Sequence, residues 1–75
     1  MSFRIGWDFP ALALFAHVPW PASADVDAAV LRFAAERAPR VPSGAYRVRA
    51  GGYEIALRVD GQAGTVLVLY LYRAR

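Results

Sequence analysis

Arg47 and Arg49 stand two residues apart on either side of Val48, and a strand through them puts both guanidinium groups on one face. Such a pair suits bidentate contact with phosphate or carboxylate. Arg58 joins the same face if the neighbouring strand is antiparallel, and Arg73 and Arg75 end the chain with two further cations. Leu67, Leu69 and Leu71 have the same two-residue spacing, and three leucines on an uncovered face would form an apolar patch of the kind that meets a partner. Other chemistries are excluded by composition. No cysteine is present, so disulfides and thiolate zinc sites are ruled out, and the single His17 cannot form a metal site alone.

The elements that position these residues are short. Seventy-five residues make one small domain, 57% apolar with 20% charged residues, which is too hydrophobic for a disordered tail. Residues 2–7 alternate, with Phe3, Ile5 and Trp7 against Ser2, Arg4 and Gly6, and predict a half-buried strand. Asp8 caps a short apolar helix from Pro10 to Val18, and Pro19-Trp20-Pro21 stops it. Val26, Val30, Phe33 and Ala34 recur at helical spacing between Ala22 and Ala38; acids lead, Arg37 trails and Pro39 terminates this second helix. The apolar stretch from Phe9 to Trp20 is far shorter than the roughly 20 residues that span a bilayer, and no signal peptide fits the N-terminus. The expectation is a cytoplasmic protein with no membrane partner.

The second half has a period of two. Tyr46, Val48 and Ala50 alternate with Ala45, Arg47 and Arg49, Gly51-Gly52 supplies the turn, and Tyr53 to Asp60 returns antiparallel. Asp60 to Gly64 forms the next turn, before an almost wholly apolar strand from Thr65 to Tyr72. Pairing Ala50 with Tyr53 sets Arg49 against Glu54, and pairing Asp60 with Thr65 sets Arg58, Ala56 and Glu54 against Leu67, Leu69 and Leu71. These registers predict that Tyr46, Tyr53, Tyr70 and Tyr72 lie beneath the helices, while Arg47, Arg49, Glu54, Arg58 and the leucine row lie on the open face. The fold class is α+β, in the order β-α-α-β-β-β, a small antiparallel sheet with a helical hairpin on one face. Net charge is +3, carried by nine arginines without a lysine. That balance fits an acidic partner, nucleic acid or protein, and fits equally a codon bias toward arginine.

The string Gly44-Ala45-Tyr46-Arg47-Val48-Arg49-Ala50-Gly51-Gly52-Tyr53-Glu54-Ile55, with Val66 to Arg73 after it, resembles the RelE/ParE toxins of bacterial toxin–antitoxin systems. Their pattern here reads G-x-Y-R-[LV]-R-x-G-x-Y-R-[LIV], followed by a last strand that ends in basic residues, and the resemblance extends over nearly the whole chain. It implies a growth-inhibiting toxin that works through a basic sheet face, either cleaving mRNA at the ribosome or inhibiting DNA gyrase. It also implies a cognate antitoxin as partner and no cofactor. Arg47 and Arg49 match the paired basic positions and, with Arg73, are the catalytic candidates; Arg47, Arg49, Arg58, Leu67, Leu69, Leu71, Arg73 and Arg75 are the candidates for RNA or partner binding. The chain departs from the pattern at Glu54, where the motif has a basic residue, and it ends at Arg75 without the longer C-terminal segment of ribosome-dependent members. Leu12, Leu14 and Phe15 give it an apolar first helix where the family carries charge, which burial in a homo-oligomer or by an antitoxin explains. These departures support a second reading, a binding or scaffold module on the same fold that forms a homodimer without catalysis. On that reading the arginines are a solvated face with one ion pair to Glu54.

Overall fold

The computed structural model describes residues 3–74. Strand β1 (Arg4–Trp7) leads into α1 (Phe9–Phe15) and α2 (Ala22–Arg32), which continues through a π-helical turn (Phe33–Arg37) and a 3₁₀ turn (Ala38–Arg40). Strands β2 (Gly44–Ala50), β3 (Tyr53–Asp60) and β4 (Thr65–Arg73) complete the chain. The sheet runs β1-β4-β3-β2. It is antiparallel through β2, β3 and β4, while β1 joins the β4 edge in parallel, because the helical hairpin carries the chain across one face before the meander begins.

Asp8 holds the start of α1, its carboxylate accepting from the Phe9 N–H at 3.0 Å. The helix ends earlier than its apolar run suggests. Pro19 has no N–H to continue it, and the chain tightens so that His17 and Val18 donate to Leu14 and Phe15 at 3.0 Å. Trp7 and Phe15 rings pack 4.8 Å apart, fastening α1 to β1. The second helix reaches Pro39 through an inserted residue: the Ala38 N–H donates to the Phe33 carbonyl, five positions back. Five residues at about 100° each leave side chains some 140° apart on an α-helix. The wider turn narrows that offset, and Phe33, Ala34 and Ala38 are all buried.

The core lies between the helices and one sheet face. Ile55, Leu57, Val59, Val66, Val68 and Leu71 meet Ala11, Val26, Val30 and Phe33, and burial of each large side chain contributes on the order of 1.5–3 kcal/mol. Phe33 lies 5.9 Å from Tyr46 between ring centroids, and the Tyr46 hydroxyl donates to the Pro42 carbonyl, so this tyrosine packs with a satisfied polar end as expected. Gly51 and Gly52 take φ of +59° and +83° and close the β2–β3 hairpin in the expected register, from Ala50 opposite Tyr53 to Arg47 opposite Ala56.

The β3–β4 ladder begins as expected, with Asp60 opposite Thr65, Arg58 opposite Leu67 and Leu57 opposite Val68, and then slips. Ala56 faces Tyr70, so Leu69 is an extra residue on β4, a β-bulge. From that point every side chain of β4 changes face. Leu71 pairs with Ile55 and is 4% exposed in the core, while Tyr70 and Tyr72 turn outward at 41% and 46% exposure. The expected row of three leucines on the open face is therefore incorrect at Leu71, and the expected burial of Tyr70 and Tyr72 is incorrect as well. The physical reason is the composition of β4: with apolar residues on both faces, hydrophobicity does not penalise a one-residue slip.

Candidate functional site: the open face of the sheet

Three rows of paired residues cross the uncovered face. Arg47, Ala56 and Tyr70 form one; Arg49, Glu54 and Tyr72 form the next; Ala45, Arg58, Leu67 and Gly6 form the third. Glu54, in the middle of its row, accepts from Arg47 Nη1 at 3.2 Å and from Arg49 Nε at 3.4 Å. The ion pair with Arg49 was expected from the hairpin register. The contact with Arg47 is diagonal, and it makes Glu54 a bridge between the two cations. The arginine side chains are 69% exposed and that of Glu54 25% exposed, so each pair is worth about 0.2–1 kcal/mol and leaves most guanidinium N–H groups directed at solvent. The local charge is thereby reduced from +2 to +1. Arg58, also exposed, makes no ion pair among the described residues.

Tyr70 and Tyr72 stack at 4.8 Å between ring centroids with a 47° tilt. Ala56 lies between Tyr70 and Arg47 in its row, and together with Ala45, Tyr46, Arg47, Leu57 and Leu69 it lines a hollow of about 420 Å³. The face thus carries guanidinium donors on β2 and the tyrosine pair on β4, with β3 between them. It can hold an anionic group on the arginines and a planar group against the tyrosines. Among the described residues no imidazole lies on this face; His17 is exposed at the end of α1.

The structure thus brings together Arg47, Arg49, Arg58, Leu67 and Leu69, with both leucines half-buried and Leu67 resting over Gly6. It does not bring Leu71 or Arg73. Arg73 pairs with Tyr53 and so belongs to the side of the sheet that carries the helices, a consequence of the same bulge. Arg75 lies outside the described residues. The exposed tyrosine pair is the element of this face that sequence reasoning missed. Its one signal was an aromatic pair in a strand whose two faces are equally apolar, and that pattern leaves the direction of the side chains open.

No protein-family model matches the chain, and no curated protein matches it by sequence. Solved structures match its fold over essentially its whole length. The isolated RelE toxin of E. coli is similar with a TM-score of 0.80 at 14% identity, covering 99% of this chain and 86% of that one. A chain of the intact E. coli RelBE toxin–antitoxin complex gives 0.77 at 16% identity, covering 99% of each. A chain of the RelBE2 toxin–antitoxin complex of Mycobacterium tuberculosis gives 0.68 at 23% identity, covering 100% of this chain and 95% of that one. The chain has the RelE fold.

Proposed function

We propose that this chain is the toxin of a toxin–antitoxin pair and that its open sheet face engages RNA at the ribosome. The observation that carries the reading is the clustering of Arg47, Arg49 and Arg58 with the stacked Tyr70 and Tyr72 on the one sheet face that no helix covers, in a chain with the fold of RelE. Cations that grip phosphate beside aromatic faces that stack on unpaired bases form the recognition set of single-stranded nucleic acid, and this favours RNA over gyrase as target. A cognate antitoxin would cover exposed apolar surface, of which Phe9 at 80% and Trp20 at 81% exposure are the largest elements.

Induced expression in a bacterial host tests the proposal. Growth arrest with cleavage of ribosome-bound mRNA, both abolished by Arg47→Ala with Arg49→Ala, is the expected result. Arrest accompanied by DNA-gyrase inhibition would move the target, and harmless expression in several hosts would reject toxicity.

Glu54 favours a second reading. A carboxylate that already occupies both arginines opposes an RNA backbone, as a non-catalytic module that persists as a homodimer would tolerate. A stable dimer in sedimentation, together with absence of toxicity, would select that reading.

A further inference from the structure

The sheet has two free edges, β2 on one side and β1 on the other. Along β1 the Arg4 N–H donates to the Gly64 carbonyl at 2.9 Å and the Asp8 N–H to the Val68 carbonyl at 2.8 Å. The extended backbone therefore continues through Asp8, and Arg4, Gly6 and Asp8 direct their amides at β4. Alternation turns the backbone N–H and C=O groups of Ile5 and Trp7 outward, where no strand meets them. The two-residue period also puts the Arg4 and Asp8 side chains on the same face as Gly6. Both residues are exposed, and neither makes an ion pair among the described residues. Asp8 uses Oδ1 to accept from the Phe9 N–H, which leaves its second oxygen for another donor.

We infer that β1 pairs with β1 of a second copy of this chain, antiparallel about a two-fold axis through Gly6. In that register Ile5 lies opposite Trp7 of the second copy, and their outward N–H and C=O groups exchange both hydrogen bonds, twice over by symmetry. Gly6 meets Gly6 at the narrow position, where the chains approach to about 4.5 Å between Cα atoms. Arg4 falls opposite the second copy's Asp8 at the next narrow position, so an ion pair closes each end of the contact. Slipping one strand by two residues in either direction still opposes outward-facing groups, but it leaves Arg4 without a carboxylate across from it. The charges thus select both the register and a second copy as the partner. The β2 edge does not pair with itself in this way, because a two-fold axis through Arg47 or Val48 sets arginine opposite arginine. On the helix side of the seam Phe9, 80% exposed, directly follows Asp8 and comes up beside Phe3 of the second copy, which adds apolar area. The two four-stranded sheets become one continuous sheet with both open faces on the same side, whether or not the chain is a toxin.

Sedimentation of the full chain at rising concentration, combined with amide hydrogen exchange, is the test. The expected result is a concentration-dependent dimer whose formation protects the Ile5 and Trp7 amides. Arg4→Asp sets carboxylate against carboxylate at both ends of the seam and should weaken the dimer roughly tenfold or more. Asp8→Arg does the same with guanidinium groups. An equimolar mixture of the two variants should associate again as a heterodimer, because each end then joins opposite charges. Asp8 also caps α1, so Ile5→Pro takes the place of Asp8→Arg if that variant does not fold. It removes an outward N–H that β4 does not use, on an edge strand that tolerates proline, and it should weaken the dimer as strongly as Arg4→Asp. A chain that stays monomeric at roughly 100 µM, in the range of a weak specific contact, would overturn the inference. So would a dimer that Arg4→Asp leaves intact, folded charge variants that do not recombine when mixed, or a dimer whose Ile5 and Trp7 amides stay unprotected.

Discussion

Tyr70 stands directly across the β3–β4 ladder from Ala56, and its ring lies 4.8 Å from that of Tyr72 on the open face. The bulge at Leu69 produces this arrangement, and it settles which side chains of β4 support the fold and which are available to a ligand. Leu71, 4% exposed opposite Ile55, fills the core, while Leu69 lines a surface hollow.

Leucine substitutions separate those two roles. Leu71→Ala should cost about 2–5 kcal/mol, the range for truncating a large aliphatic side chain in a packed core, whereas Leu69→Ala should cost less than about 1 kcal/mol. Chemical denaturation of the two variants checks this through their midpoints. Equal losses would mean that β4 continues without the slip.

The tyrosine pair makes a prediction that the arginines cannot. Tyr70→Ala and Tyr72→Ala each remove one stacking surface, worth about 1–3 kcal/mol per base, and should weaken oligouridine binding by roughly 5- to 150-fold while leaving its salt dependence in place. Fluorescence anisotropy over a salt series distinguishes this from loss of an arginine, which flattens the slope. Because both rings are exposed on a face without helices, the melting temperature should hardly move.

How much of this was legible in the letters follows from where the pattern is asymmetric. Arg47 and Arg49 alternate with Tyr46 and Val48, and Gly51-Gly52 admits one tight turn, so the β2–β3 register and the position of both arginines could be read directly. From Val66 to Tyr72 hydrophobicity is equal on the two faces, and no such reading distinguishes a regular strand from a bulged one. The π-helical turn was equally hidden, since Phe33, Ala34 and Ala38 are apolar enough to extend an α-helical pattern without marking the inserted residue. The misplaced elements, Leu71, Arg73 and the tyrosine pair, all follow from the single slip in β4, where tertiary packing chose between two alignments of similar apolar content.

Gly51 should be the less replaceable of the hairpin glycines. Both need positive φ, but a Cβ on Gly51 would come within 2.8 Å of the Ala22 carbonyl oxygen at the start of α2, whereas one on Gly52 meets nothing within 4 Å. Gly51→Ala therefore adds a backbone clash to about 1–2 kcal/mol of left-handed strain, and Gly52→Asn, with a residue that tolerates this region, avoids most of both. For a domain of this size each kcal/mol lowers Tm by roughly 4–8 °C, so thermal unfolding should place Gly51→Ala at least that far below Gly52→Asn. Similar melting temperatures would show that α2 does not press on the turn.

Glu54 gives the sharpest test of what the open face is for. Its carboxylate bridges Arg47 and Arg49 at 3.2 and 3.4 Å, so Glu54→Gln preserves side-chain shape while freeing both guanidinium groups and adding one unit of positive charge. The exposed pairs contribute little to folding, and stability should change by no more than about 1 kcal/mol. Binding to single-stranded RNA should strengthen, with a log–log salt slope steeper by about 0.7 for each additional phosphate neutralised. If the toxin reading holds, growth inhibition should persist or deepen in this variant. A face that serves a partner protein instead would gain RNA affinity without toxicity. Unchanged affinity and slope would mean that Glu54 does not restrain the arginines in solution, and its bridging role would have to be abandoned.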